Sequence, residues 1–217
     1  MAKSTARKRK YDSTRRQSQA RETRTRILKA AETLFMEHGY AGATIEAIAA
    51  RADVASETVY ASFKNKRRIV LELLTVLAAG GVEEDVPITR RAGPRAVAQE
   101  HDQRRQLAIF AETVAHNLER VAWMSELLTI AARAQQDVDR MMQRLNEQRW
   151  QHMAVFVEQL AVNGPLRDRM NRAEATDIVW TLASPEVFLL TTRDRTWSTE
   201  RYTRWLADAL ARMLLPD

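Results

Sequence analysis

Apolar residues first fall into register at Ile27, Leu28, Ala31, Leu34 and Phe35, spaced i, i+1, i+4, i+7 and i+8, one stripe of an α-helix. Residues 1–17, ahead of that stripe, are polar, charged and aperiodic, and read as a flexible arm. His38-Gly39 closes the first helix, with glycine suited to a left-handed residue just past its end. Thr44 caps a short second helix whose inward positions are Ile45, Ile48 and Ala49. Asp53 interrupts, and a third helix carries Val59, Tyr60 and Phe63. Asn65 caps a fourth, with Ile69, Val70, Leu73, Leu74 and Leu77 on one face.

Gly80-Gly81, Pro87, Gly93 and Pro94 make the clearest break, so a domain boundary is expected around 79–94. Helical periods then span about 95–117, 119–133 and 137–162, and Asn163-Gly164-Pro165 stops the last of them. Asn171 with Glu174 three residues on spells a capping box. Pro185 must break the helix that follows, and Ser184 is placed to restart it as N-cap with proline at the first helical position. Ser198 caps a final helix carrying Tyr202, Trp205, Leu206, Ala209, Leu210 and Met213. No window alternates with β-branched residues, so the fold class is all-α. The expected divisions are an arm at 1–17, a three-helix head at 18–66, a linking helix and loop at 67–94, and a helical body at 95–217.

Charge sharpens this picture. Residues 1–68 hold 16 Lys and Arg against 7 Asp and Glu, whereas the remainder holds 18 against 21. The positive excess sits wholly in the first third, the footprint of a polyanion-binding head on a neutral body. The same stretch lacks the broad apolar face of a membrane-surface helix. No apolar run approaches the length of a bilayer span, and no apolar region follows the basic N-terminus as in a secretory signal. The chain has no cysteine, which removes disulfides, thiolate metal sites and thiol nucleophiles and fits a reducing cytoplasm. His38, His101, His116 and His152 are scattered, and no phosphate loop, nucleophile elbow or metal-ligand spacing occurs. Neither enzyme chemistry, nor a metal, nor a cofactor is expected.

The informative window is residues 24–74. Between its second and third helices lies Ala52-Asp53-Val54-Ala55, the length of a helix-turn-helix turn, with Val54 as the apolar plug. Such a unit lays its third helix in the major groove while the N-terminus of the second faces a phosphate. The window resembles the DNA-binding domain of the tetracycline-repressor (TetR) family of bacterial regulators. The resemblance is carried by Ala31, Leu34, Phe35, Gly39 and Tyr40, by Thr44, Ile45, Ile48 and Ala49, and by Thr58, Val59, Tyr60, Phe63 and Lys66. Trp197, Ser198, Glu200, Tyr202, Trp205 and Leu206 extend it to the last helices, while 95–165 resembles nothing in particular.

The resemblance implies a C-terminal helical domain for ligand binding and dimerisation, and a ligand-responsive regulator that binds a palindromic double-stranded DNA operator as a homodimer. A repressor is the first expectation; an activator or a sequence-tolerant DNA-architectural protein are the rivals. Thr44 would offer its hydroxyl and backbone N–H to a phosphate, and Tyr60 and Lys66 would clamp the backbone. Ser56, Glu57, Thr58, Ala61 and Ser62, with Lys64, would meet base edges or flanking phosphates. Against this, Tyr60 and Phe63 are also plain core aromatics, and Thr44 is a helix cap in any case. Arg7, Lys8, Arg9 and Lys10 reach the minor groove or simply add counterion release. The family often has glycine where Asp53 stands, and serine where Ala55 stands, which leaves Ser56 to cap if the helix begins one residue later. Glu57 would accept from cytosine N4 but repel phosphate.

Dimerisation would use helices at about 172–192 and 198–214, through Ile178, Val179, Leu182, Phe188, Leu189, Trp205, Leu206 and Leu210. A small-molecule effector would sit among Phe110, Thr113, His116, Asn117, Trp123, Met124, Leu127, Met141, Leu145, Trp150, Met153 and Trp180, bulky and adaptable groups with a few polar ones. Each of these also reads as an ordinary core residue.

Overall fold

The structure, a computed structural model, describes residues 3–80 and 92–216, with side chains from residue 18 onward. The Gly81, Pro87 part of the expected break and the side chains of Arg7 to Lys10 lie outside the described residues. Every regular element described is helical. The chain divides into two compact units between Leu73 and Leu74, inside a helix.

The first unit is built from α1 (Lys3–Gly42), α2 (Ile45–Arg51), α3 (Ser56–Phe63) and most of α4 (Lys66–Ala78). α1 begins inside the stretch expected to be a flexible arm. The physical reason is compositional: no glycine or proline occurs before Gly39, and Ala, Arg, Lys and Gln are good helix formers. Ile27, Leu28, Ala31, Leu34 and Phe35 of α1 are buried against Ile45, Ile48 and Ala49, Val59 and Phe63, and Ile69, Val70 and Leu73. Phe35 stacks on Tyr40 with centroids 6.0 Å apart.

Gly39 leaves helical geometry at φ 69°, ψ 178°, a region essentially closed to residues with a Cβ. Thr44 caps α2 by accepting from Ala47 N at 3.1 Å. The end of α2 is a Schellman motif: Val54 N donates to Ala49 O at 3.0 Å and Asp53 N to Ala50 O at 3.3 Å. Asp53 takes the left-handed position at φ 53°, so aspartate serves where glycine is usual. Ser56 is the first helical residue of α3 and not its cap. Ala55 holds the cap position and supplies no side-chain bond.

The second unit comprises the end of α4 with α5 (Ala92–Gln99), α6 (Gln103–Ala132), α7 (Gln136–Asn163), α8 (Arg172–Leu182), α9 (Pro185–Leu189), a π turn (Leu190–Asp194) and α10 (Thr199–Leu214). The helix expected at 95–117 is instead interrupted at 100–102, and the expected break near 118 is absent. Two carboxylates cause the interruption. Glu100 Oε1 accepts from the N–H groups of His101 and Asp102, and Asp102 caps α6 through Arg105 N at 2.8 Å. Those two backbone bonds hold the Glu100 carboxyl below its ordinary range. Past 118 nothing breaks the helix, and Leu107, Ala111, Ala115, Leu118 and Ala122 run on as one buried stripe.

That stripe is the spine of the core. Phe110 stacks on Phe156 of α7 at 3.9 Å, and Phe188 meets Tyr202 of α10 edge-on at 5.0 Å. The capping box at Asn171 and Glu174, the Ser184 cap before Pro185 and the Ser198 cap are all formed. Gln106, wholly buried, donates to Val97 O and accepts from Asn163 Nδ2, closing one end of the bundle.

No atom lies within 4 Å of a Cβ added at Gly39, so replacement there meets a conformational cost and no clash. Gly39→Ala is expected to destabilise the protein by about 1–3 kcal/mol in urea unfolding. A loss under about 0.5 kcal/mol would contradict that backbone assignment.

Candidate nucleic-acid interface

The orientation of α3 follows from its two buried residues. Val59 and Phe63 are almost fully sequestered, so the opposite face must point outward. Glu57, Tyr60, Ala61 and Lys64, at i, i+3, i+4 and i+7, form that exposed face. Tyr60 is 47% exposed, which settles it as a surface residue; Phe63 is core. Ser56, Thr58 and Ser62 flank the face and are half-buried. α3 ends on Lys64, which has φ 65° and donates its N–H to Tyr60 O at 2.8 Å.

Thr44 stands exposed at the start of α2. Its backbone N–H is already bonded to Gly42 O at 3.1 Å, and its hydroxyl oxygen accepts the cap bond. The hydroxyl proton is the donor it can still direct outward. Glu57 sits in the first turn of a helix without a side-chain cap, where its negative charge offsets the helix dipole.

Lys66 is placed differently from a free phosphate clamp. Its Nζ donates to Tyr40 O at 2.6 Å and lies 4.3 Å over the Tyr40 ring. Burial pushes the ammonium below its ordinary pKa. The lysine thereby ties the end of α1 to the start of α4, which explains a cation at a helix start where the dipole opposes it.

Arg24 is a residue that the sequence pattern does not single out. Its Nε and Nη2 grip the carboxylate of Glu72, Nη1 donates to Ser62 O at 2.8 Å, and the guanidinium lies 4.3 Å over the Phe63 ring. One side chain of α1 thus holds the end of α3 and the middle of α4. Arg51 is likewise engaged, in a two-pronged pair with Glu37. Three of the cations in the basic excess therefore build the head, whereas Arg26, Lys29, Lys64 and Arg68 remain exposed.

The residues expected around an effector do not form one set. Phe110, Met124 and Met141 are core, and His116 is exposed. Trp123 Nε1 donates to Arg120 O at 3.0 Å, Trp150 Nε1 to Asp177 Oδ1 at 2.8 Å, and Thr113 Oγ1 to Ile109 O at 2.8 Å. Leu127, Leu145 and Met153 are half-buried. Asn117 Oδ1 and Trp180 Nε1 are buried without partners, as is Nε of Arg149. A groove of about 440 Å³ between α6 and the α9 segment is lined instead by Thr129, Ile130, Pro185, Leu189, Leu190 and neighbours, none of them in the expected set.

The expected dimer residues also divide. Val179, Phe188, Leu206 and Leu210 are consumed by the core of their own unit. They are no surplus, because α10 lies directly against α6 and α8. Ile178, Leu182, Leu189 and Trp205 are only partly covered, and Leu190 and Met213 are exposed. Among the described residues no helix is long and apolar enough to cross a membrane, and no cluster of His, Asp and Glu could hold a metal.

Comparison with known proteins agrees with this geometry. Residues 27–73 match the family described as bacterial regulatory proteins, tetR family. No curated protein matches the chain. Among solved structures, NalD, the secondary repressor of the MexAB-OprM multidrug efflux pump in Pseudomonas aeruginosa, is 24% identical. It covers 90% of this chain and 97% of its own, with a TM-score of 0.66. FadR from Bacillus subtilis, solved with stearoyl-CoA, is 15% identical, covering 85% and 96% with a TM-score of 0.63. A transcriptional regulator from Saccharomonospora viridis, solved with choline, is 20% identical, covering 90% and 99% with a TM-score of 0.64. At such identities the likeness establishes the fold alone. Residues 27–73 thus form a helix-turn-helix domain that matches the tetR family of bacterial regulatory proteins.

Proposed function

We propose that this protein is a cytoplasmic, ligand-responsive repressor that binds a palindromic DNA operator as a homodimer and is released by a small-molecule effector. The observation that carries the reading is the exposed face of α3. An eight-residue helix anchored by Val59 and Phe63 presents Glu57, Tyr60, Ala61 and Lys64 outward, and a helix of this kind fits the major groove. Tyr60, Lys64 and the Thr44 hydroxyl contact phosphates and set the register. Glu57 and Thr58, with Ser56, Ala61 and Ser62 beside them, read bases. Lys66 acts at one remove, by fixing α4 against α1.

The repressor assignment follows the role that NalD's description gives that protein. Support for an effector comes from the ligands solved with the regulators from Bacillus subtilis and Saccharomonospora viridis. The homodimer would use the α8, α9 and α10 surface, where Leu190 and Met213 stay exposed beside the partly covered Ile178, Leu182 and Trp205. Arg120 provides a route for the signal: its guanidinium donates to Leu77 O at 2.9 Å and Ala78 O at 3.4 Å, the last carbonyls of α4. α4 is continuous in sequence with the DNA-binding head, so α6 movement would be felt at its end.

Selection from random duplexes followed by footprinting tests the reading. Enrichment of one inverted repeat is expected, protected by a dimer. Equal affinity for all duplexes, falling alike with salt, would instead mark an architectural protein. On the selected repeat, Glu57→Ala and Thr58→Ala should each alter preference at particular base pairs by about 1–3 kcal/mol.

Lys64→Ala should weaken every sequence and reduce the salt slope by about one. Lys66→Met should weaken every sequence while leaving the slope unchanged and lowering the melting temperature. The reverse pattern for the two lysines would exchange their roles.

Arg120→Met should leave affinity for the repeat intact and reduce effector-driven release, which requires a coupling of about 1–3 kcal/mol. Unchanged release would remove Arg120 from the route.

A further inference from the structure

We infer that Arg149 and Trp180 form an anion-binding subsite inside the second unit, built to take the carboxylate of a small organic acid. The inference rests on the effector-sensing reading and names the chemistry of the ligand. The Arg149 guanidinium lies 4.3 Å above the Trp180 indole, and its Nη1 donates to Trp180 O at 2.6 Å. That leaves two N–H groups of one stacked pair, Arg149 Nε and Trp180 Nε1, buried and without an acceptor. Both are donors, and one belongs to a full positive charge.

The neighbourhood supplies no counter-ion. Arg149 makes no ion pair among the described residues, and desolvation lowers its pKa. Glu186 attracts it only at a distance, and its carboxylate faces solvent. The Tyr202 hydroxyl spends its proton on Leu182 O at 3.0 Å, and burial raises its pKa, so it stays neutral. The other bonded indoles behave differently: Trp123 and Trp150 each have an acceptor on their own side of the fold. A partly buried cation without a counter-ion is costly, and so is each buried donor bond left unmade. Such a pair is stable where a ligand completes it.

The missing group is defined by what would satisfy both donors. A carboxylate has two oxygens that can accept from two adjacent N–H groups, and its single negative charge matches one arginine. A dianionic phosphate would exceed the single charge of Arg149. A neutral carbonyl would satisfy a donor but not the charge. The surroundings suit an apolar remainder: Tyr202 packs edge-on with Phe188, and Met153, one turn along α7 from Arg149, is half-buried against the core.

The test uses the full chain and four probes paired by shape, benzoate with benzamide and octanoate with octanol, alongside inorganic phosphate. Tryptophan fluorescence and thermal unfolding report binding. At least one carboxylate should bind saturably, at least about tenfold tighter than its neutral partner and than phosphate. Arg149→Met and Trp180→Phe should each erase about tenfold of that preference, and Arg149→Lys should restore part of the charge dependence. Trp180→Phe keeps an aromatic face under the guanidinium and removes the N–H donor, so it decides the matter if Arg149→Met fails to fold. Equal binding of neutral and charged partners, no saturable response to either carboxylate, or an unchanged preference in the variants would overturn the inference. A gel shift of the ligand-free protein on its selected repeat runs in parallel. Specific DNA binding without a carboxylate response sinks this subsite alone, and a carboxylate response without specific DNA binding sinks the regulator reading alone.

Discussion

The burial of Val59 and Phe63 is the constraint on which the helix-turn-helix head of this protein depends. α3 is only eight residues long, too short to be stable or oriented by itself. Two apolar side chains one turn apart fix its rotation about its own axis, and everything displayed on the far side follows. Arg24 reinforces the same constraint from α1, because its guanidinium covers the Phe63 ring while bonding Ser62 O and Glu72. The exposed face of α3 is thus a consequence of core packing.

The positive charge of the head therefore has two uses. Arg24, Arg51 and Lys66 satisfy carboxylates, a carbonyl and aromatic faces within the fold, where geometry makes a charged hydrogen bond stronger than a neutral one. Other cations stay at the surface, where they attract a polyanion and sacrifice nothing in stability. Removing one kind should loosen the scaffold, and removing the other should weaken polyanion binding and its salt dependence while sparing stability.

The second unit follows the opposite logic at one point. Most of its interior is satisfied: helix caps are formed, Gln106 and Asn163 answer each other, and the aromatic rings pair. The stacked Arg149 and Trp180 hold a charge and two buried donors left open, with Asn117 Oδ1 the other buried side-chain polar atom without a partner among the described residues. Under the proposed effector-sensing role such a defect is useful, since a ligand that repairs it binds one arrangement of the helices better than any other.

Much of this could be read from the chain alone. The caps at Thr44, Asn171, Ser184 and Ser198, the left-handed turn at Asp53 and the inward residues of α2 and α3 are local features, set by side-chain chemistry within a few residues, and periodicity reports them directly. The helix from Lys3, the interruption at Glu100 to Asp102 and the unbroken α6 were not legible in the same way. At 100–102 and past 118 the sequence is compatible with several continuations, and particular carboxylate bonds or packed neighbours choose between them. Which cations build the fold, which apolar residues are core and which tryptophan lacks an acceptor are decided only in three dimensions. Arg24 and Glu72 are 48 residues apart, and Arg149 and Trp180 are 31. A sequence specifies the donors and acceptors it carries, and only tertiary packing determines which of them meet.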